Sequence, residues 1–408
     1  MTTDVPALQQ RLDATLGNAG IPGSVANSHP HLFSQTPVFL ARAHARKIQR
    51  VVAAISAVAA LPGYQEEVLA RAPAIARPAP KSLGVFFGFD FHITASGPKL
   101  IEINTNAGGA LLNIELRREQ QACCEPAADY LLEEPCAESL ESSVVDMFLR
   151  EWKLVRGAQE LRTVAIVDDA PREQYLFPEF LFVQTLFAAR GLNALVVDAR
   201  ELAVVDDALK WHEQRIDLVY NRCTDFYFAE PAHAALAEAY ARDLAVITPH
   251  PHAHALYSNK RNLVTLSDPD ALRTMQASPA DIETLLASIP QTRLVAGGEE
   301  NGWADRKRWF FKPASGFGSR GTYRGDKITR RAFGDVMRGD YIAQRIAPPG
   351  ERSHAGSKES FKVDVRSYVY DGETQALAAR LYRGQTTNFR SAGGGFAGVY
   401  LVGDEPGL

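Results

Sequence analysis

Two oxygen-bearing side chains stand two positions apart in Leu100-Ile-Glu-Ile-Asn-Thr-Asn-Ala-Gly-Gly109. Apolar and polar residues alternate there, the pattern of a strand, and the glycine pair ends it. Side chains two apart on a strand share a face. Glu102 and Asn104 therefore present a carboxylate and an amide oxygen side by side, while Ile101 and Ile103 turn toward a core. Hard oxygen donors at a strand end suit Mg²⁺, which takes a few protein oxygens and fills its shell with nucleotide phosphates. An edge strand whose polar face meets water would show the same short pattern. The apolar run from Leu83 to Ile93 precedes it, and a turn at Ala95-Ser-Gly-Pro98 joins the two as a hairpin. Residues equidistant from a turn pair across it, which sets Asp90 beside Glu102 and Asn104 as a third oxygen donor.

The cations lie downstream. Lys260 ends Ser258-Asn-Lys260, where a helical stretch to Leu266 begins. Lys312 follows the strand Arg308-Trp-Phe-Phe311 and precedes Pro313-Ala-Ser-Gly-Phe-Gly-Ser-Arg-Gly-Thr322. A glycine-rich loop between strands can drape backbone N–H groups over phosphates, which makes Ser315, Gly316 and Gly318 candidate contacts. It is not a Walker A loop, since no Gly-Lys-Ser/Thr closes it, and a surface hairpin is the competing reading. The strand Tyr341–Ile346 carries Gln344 and Arg345, and a strand backbone beside an apolar wall is a common way to hold an adenine edge. Lys362 to Tyr370 alternates strictly, placing Asp364 and Arg366 on one face. Arg366, with Arg380 on the strand Gln375–Arg383, is placed to neutralise a triphosphate or to form ion pairs on the sheet. The stretch Gly384 to Gly395, containing Asn388, Arg390 and Gly394, reads as a glycine-rich lid.

These residues need a scaffold of more than one unit. The chain has 408 residues, enough for two or three domains, with ordinary apolar (46%) and charged (23%) fractions. A net charge of −4 carries no electrostatic footprint for nucleic acid or an anionic membrane. The four cysteines, Cys123, Cys124, Cys136 and Cys223, form no CxxC pair, so neither a zinc framework nor a disulfide scaffold is indicated. Neither a signal peptide nor a membrane span is read, and the expected location is cytoplasmic. Helical periodicity covers residues 6–17, 36–70 (interrupted at Leu61-Pro-Gly63), 111–131 and 138–156. From residue 163 to 248, strands alternate with helices, which predicts a small parallel α/β unit. Ligands in such sheets lie beyond the strand carboxyl ends, where Asn221, Arg222 and Asp225 fall. The planar fork of Arg222 matches a substrate carboxylate; a salt bridge with Asp225 fits equally. His250, His252 and His254 invite a metal reading, but the intervening prolines argue for a loop.

In their order along the chain, Ile101-Glu-Ile-Asn-Thr105, Ser258-Asn-Lys260, Phe311-Lys-Pro313 with its glycine loop, Tyr341-Ile-Ala-Gln-Arg345 and Gly384 to Gly398 resemble the ATP-grasp superfamily. The resemblance is to its circularly permuted branch, glutathione synthetase of the eukaryotic type and glutathionylspermidine synthetase, from about Gly88 onward. It implies an α+β / α/β ATP-grasp fold with antiparallel sheets and helices, plus an inserted small parallel α/β domain. The implied divisions are an N-terminal helical segment (1–80), a first ATP-grasp part with the metal strand (81–157), the insert (158–255) and the nucleotide-binding remainder (256–408). Asp90, Glu102 and Asn104 would hold Mg²⁺. Lys260 and Lys312 would contact ATP phosphates, Gln344 and Arg345 would flank adenine, and Arg222 and Arg390 would meet substrate. Two positions depart from the pattern. Gly88 stands where these families have arginine, and Ala314-Ser-Gly-Phe-Gly-Ser-Arg320 lacks the glutathione synthetase metal glutamate. Arg320 or Arg366 would then supply the cation, and Asp90 the carboxylate.

The expected activity is an ADP-forming carboxylate–amine ligase using ATP and Mg²⁺. A nucleotide-binding protein without ligase activity and a small-molecule phosphotransferase are the alternatives. The expected partners are small-molecule carboxylate and amine substrates, with no nucleic acid and no membrane, and a homodimer left open.

Overall fold

The computed structural model describes residues 3–17, 25–123, 136–295, 302–316, 321–353 and 360–403. Its centre is an antiparallel sheet in which Gly395–Ala397, Glu373–Tyr382, Ser360–Tyr370, Phe87–Thr94 and Gly97–Asn104 lie side by side, with Gly350–Ser353 also paired to Ser360–Tyr370. The hairpin Phe87–Thr94/Gly97–Asn104 forms as its turn chemistry predicts, with Gly97 at φ 97°. A second antiparallel sheet has the order Thr292–Leu294, Tyr341–Arg345, Trp309–Pro313, Tyr323–Arg324. The parallel unit is present as four strands in the order Val246–Thr248, Leu218–Asn221, Thr163–Asp168, Asn193–Asp198. The helices Phe177–Ala189 and Ala234–Ala241 make its crossovers, since parallel neighbours cannot be joined by a tight turn.

Helix positions follow periodicity. Arg42–Ala59 buries Ile48, Val51, Val52, Ile55 and Val58 on one stripe, and packs beside Pro279–Ser288 and the central sheet. Ala137–Arg156 buries Leu140, Val144, Met147, Phe148 and Trp152, and ends at Gly157 with φ 64°. On that helix Glu151 is completely buried. It accepts hydrogen bonds from Leu83 N (2.9 Å), Gly84 N (2.9 Å), Thr248 Oγ1 (2.6 Å) and Tyr370 Oη (2.9 Å). One carboxylate thereby ties the central sheet, the parallel sheet and the segment leading into the strand Phe87–Thr94 to one helix.

Two local expectations are corrected, one at the start of a predicted helix and one at the proline–histidine stretch. The start of residues 36–70 is a strand, Val38–Ala41, parallel to Val399–Val402; a four-residue strand whose partner lies near the far end of the chain leaves no local periodicity to read. Within the parallel unit, and needing no correction, Leu202–Val205 pairs with Ala208–Trp211 around Asp206 and Asp207, both at positive φ (52° and 54°), the dihedrals of a tight hairpin turn. The proline–histidine stretch is a helix, Pro251–Tyr257. Pro251 sits at its first turn, where its missing N–H costs nothing, and His250 Nδ1 caps Ala253 N at 3.1 Å. The predicted helix 111–131 is described as Ala110–Cys123, its remainder lying outside the described residues. Among the described residues, no helix is long and apolar enough to cross a membrane.

Candidate active site

The two antiparallel sheets enclose a cleft of ≈ 910 Å³, counted to its open mouth. The central sheet builds one wall by register. Asp364 lies opposite Arg380, Arg366 opposite Asp90, and Asp90 opposite Glu102. The register slips between Asp90 and Phe91, so that Ile101 is an extra residue in its strand. Such a bulge bends the strand and re-aims its side chains. Ile101, expected in the core, lines the cleft instead together with Glu102 and Asn104. Its carbonyl accepts a hydrogen bond from Lys312 Nζ, 2.7 Å away.

Lys312 belongs to the opposite wall, on Trp309–Pro313. Its ammonium also donates to Gln344 Oε1 at 2.8 Å. Burial pushes its pKa down to about 8, against Glu102, which favours the charged form. Lys260 Nζ donates to the carbonyl of Gly316 at 2.8 Å, so both lysines and the start of the glycine loop meet in one place. Gly316, with Gln344 and Arg345, lines the cleft. Ser315 adjoins Gly316, while Gly318 and Arg320 lie outside the described residues. The Arg345 guanidinium lies over the Trp309 ring at 4.3 Å.

Asp90 stands in the cleft beside Glu102, and most of its acceptor capacity is taken. Oδ1 accepts from Arg366 Nε (2.6 Å). Oδ2 accepts from Arg366 Nη2 (2.8 Å), Arg380 Nη2 (2.9 Å) and Asn104 Nδ2 (3.2 Å). Three donors converge on Oδ2 and one on Oδ1, which leaves one acceptor position on Oδ1. Burial alone would raise the Asp90 pKa; the two guanidiniums outweigh it and hold the group ionised. Asp90 thus clamps two arginines, and the remaining position on Oδ1 is what it could offer as the expected third metal ligand. Asp364 uses Oδ1 for Arg380 Nε (2.7 Å) and Oδ2 for the Thr387 hydroxyl, and it also lines the cleft.

The glycine at position 88 has a steric cause. A Cβ there would come within 2.6 Å of Ala107 Cβ and 3.0 Å of Arg366 Nε. The space a longer side chain would need is held by Arg366, which is itself buried and reaches Asp90 from the next strand. Arg380 is the arginine of the pair that lines the cleft.

Glu102 and Asn104 fit Mg²⁺ by donor type, a carboxylate and an amide oxygen. Asn104 spends its N–H groups on Asp90 and, at 3.5 Å, on Glu102, which leaves its oxygen for a ligand. Alternation alone did not point to His92, Thr322 and Tyr382, which also line the cleft, as do Gln385, Thr386 and Thr387 from the expected lid. His92 is held by an Nδ1 hydrogen bond to the Ala347 carbonyl (2.7 Å).

Other expected contacts lie elsewhere. Asn388 stitches its own loop, donating to the carbonyls of Arg383 (2.8 Å) and Thr386 (3.0 Å) and accepting from Arg390 N (3.0 Å). Gly394 donates to the Ser391 carbonyl (2.8 Å). Arg390 is exposed. Arg222 is buried, donating to Asn106 O (2.8 Å) and Tyr220 Oη (3.3 Å). It makes no ion pair with Asp225, whose carboxylate holds His233 Nδ1 at 2.8 Å. The histidines read as a metal candidate are structural. His250 Nε2 bonds Ser82 O (3.0 Å), His252 Nδ1 bonds Ala76 O (2.8 Å), and His254 Nδ1 meets Thr105 Oγ1 (3.0 Å). Burial lowers their pKa values, to about 4 for His250 and about 3 for His254.

No family model matches the chain, and no curated protein matches its sequence. Solved structures do match in shape. The chain is similar to a glutathione synthetase-like effector from Globodera pallida in its apo form, with TM-score 0.60, 11% identity and 98% of each chain covered. A protein provisionally assigned as a gamma-glutamylcysteine synthetase from Methylobacillus flagellatus gives TM-score 0.48 at 10% identity, covering 85% of this chain and 83% of that one. An ATP-grasp ligase complexed with a minimal precursor gives 0.32 at 12% identity, covering 60% and 92%. Only the first is close enough in shape to establish a shared fold.

Proposed function

From the premise of an ATP-grasp fold shared with a glutathione synthetase-like protein, we propose that the chain is an ADP-forming carboxylate–amine ligase. The observation that carries this reading is the cleft itself. One wall offers Glu102 and Asn104 for a cation, and the other offers Lys312, Lys260 and the start of a glycine loop for phosphates. The resemblance to the circularly permuted branch adds the order of these parts along the chain.

In the proposed reaction, a substrate carboxylate oxygen attacks the γ-phosphorus of ATP and ADP leaves. An amine then attacks the acyl carbon, expelling phosphate and leaving an amide. Phosphoryl transfer asks mainly for positioning and charge neutralisation. Mg²⁺ held by Glu102 and Asn104 would supply part of that neutralisation. Lys312 and Lys260 meet the phosphates, with Ser315, Gly316 and Gly318 along the backbone cradle. Gln344 and Arg345 border the adenine. Arg380, steadied by Asp90 and Asp364, faces the transferring group, and Arg366 holds Asp90 in place behind it. Gln385 to Thr387 and the loop around Asn388, Arg390 and Gly394 exclude water, which would otherwise hydrolyse the acyl phosphate. Arg222, near Gly108 and Glu179, is proposed on the substrate side.

The test is ADP release from ATP and Mg²⁺ with paired small acids and amines. Glu102→Ala is expected to lower the active pair's turnover about 10²-fold or more, with unchanged far-UV circular dichroism. Unaltered turnover in that variant would overturn the assignment. A stable phosphorylated product that forms without any amine would instead indicate a phosphotransferase.

A further inference from the structure

A separate cluster lies at the carboxyl ends of the parallel strands Thr163–Asp168 and Leu218–Asn221. His233 is completely buried, and each of its ring nitrogens lies 2.8 Å from a carboxylate, Nδ1 from Asp225 Oδ2 and Nε2 from Asp169 Oδ1. Carboxylates only accept hydrogen bonds, and a neutral imidazole has a single N–H. An imidazolium donating from both nitrogens satisfies both contacts, and a metal ion in place of one of those two protons is the other arrangement that does. The environment says which side. Asp225 Oδ2 also accepts Glu230 N at 2.7 Å, so it is fixed in place and orients Nδ1–H, as carboxylates do behind metal-bound histidines. Nε2 then faces Asp169, and Cys223, buried like the histidine, lies beside them. Asp169, Cys223 and His233 each offer one donor atom, and the three lie within 4.8 Å of one another.

We propose that Asp169, Cys223 and His233 form a zinc site, with Asp225 positioning the histidine. Oxygen, sulfur and nitrogen donors together favour Zn²⁺ over Mg²⁺ or Ca²⁺. Asp169 remains about two-fifths exposed, which provides entry. Without metal the buried thiol stays protonated and donates weakly to Val167 O at 3.8 Å. Binding releases the thiol proton and the imidazolium Nε2 proton to solvent as sulfur and nitrogen bond the metal. The site is set apart from the nucleotide cleft by its residues, none of which lines that cleft.

The experiment titrates the full, chelator-stripped protein with zinc chloride against a chromophoric chelator, in millimolar magnesium. One equivalent is expected to bind. Cys223→Ser, nearly isosteric, should weaken it at least about tenfold, and Asp225→Asn by about 10–100-fold, with circular dichroism unchanged. Glu102→Gln should bind zinc as the parent does, placing the ion outside the cleft. Cobalt substitution should give a near-ultraviolet thiolate-to-metal absorption that Cys223→Ser lacks. Absence of stoichiometric zinc, equal affinity in the Cys223 variant, or loss of binding in Glu102→Gln would each overturn the assignment.

Discussion

At the scale of single residues, the cleft is governed by which charges are already spent. Lys312 has its pKa lowered to about 8 by burial, so it is charged below that pH and loses its charge above it. The kcat/KM for ATP should therefore fall as pH rises through about 8, since that ratio reports the free enzyme. The kcat should hold further, because a bound triphosphate favours the ammonium. Lys312→Arg, charged throughout, should flatten the limb in a steady-state pH profile. Gly88 answers to packing. Gly88→Ala puts a methyl 2.6 Å from Ala107 Cβ, and overpacking of this kind costs about 1–3 kcal/mol. Denaturant melts should show that loss and its partial recovery in the pair Gly88→Ala/Ala107→Gly.

At the scale of elements, the bulge at Ile101 and the helix Pro251–Tyr257 do the placing. The bulge turns Ile101 into the cleft and offers its carbonyl to Lys312. The helix is pinned by histidines that must stay neutral. His250 and His254, lowered to about 4 and about 3, would titrate near 6.5 in the unfolded chain. The unfolded state binds more protons between those values, so stability drops as pH falls from about 6.5 toward 4. The slope is up to about 1.4 kcal/mol per pH unit for each histidine. Chemical denaturation across that range measures it, and His254→Asn should reduce the slope. The histidine spacing suggested a metal because alternation on a strand and the first turn of a helix look alike over five residues.

At the scale of the whole molecule, Glu151 joins the sheets. Glu151→Ala strands four donors, each buried unsatisfied group costing about 1–3 kcal/mol. A loss of at least about 3 kcal/mol in thermal unfolding is expected, with the central and parallel sheets melting together. Nothing in its neighbourhood along the chain marks this glutamate; it reads as one more polar position in an amphipathic helix.

What the sequence by itself determined is local. The order of donors and cations, the hairpin that sets Asp90 across from Glu102, the alternation of strands and helices from 163 to 248, and the glycine loop after Lys312 follow from periodicity and turn chemistry between near neighbours. Tertiary structure decided which of those groups are free. Arg366 reaches Asp90 from 276 positions away, and His233 meets Asp169 across 64. Pairings of that span depend on which strands lie together and in what register. One slipped residue, at Ile101, was enough to exchange a core side chain for a wall of the cleft.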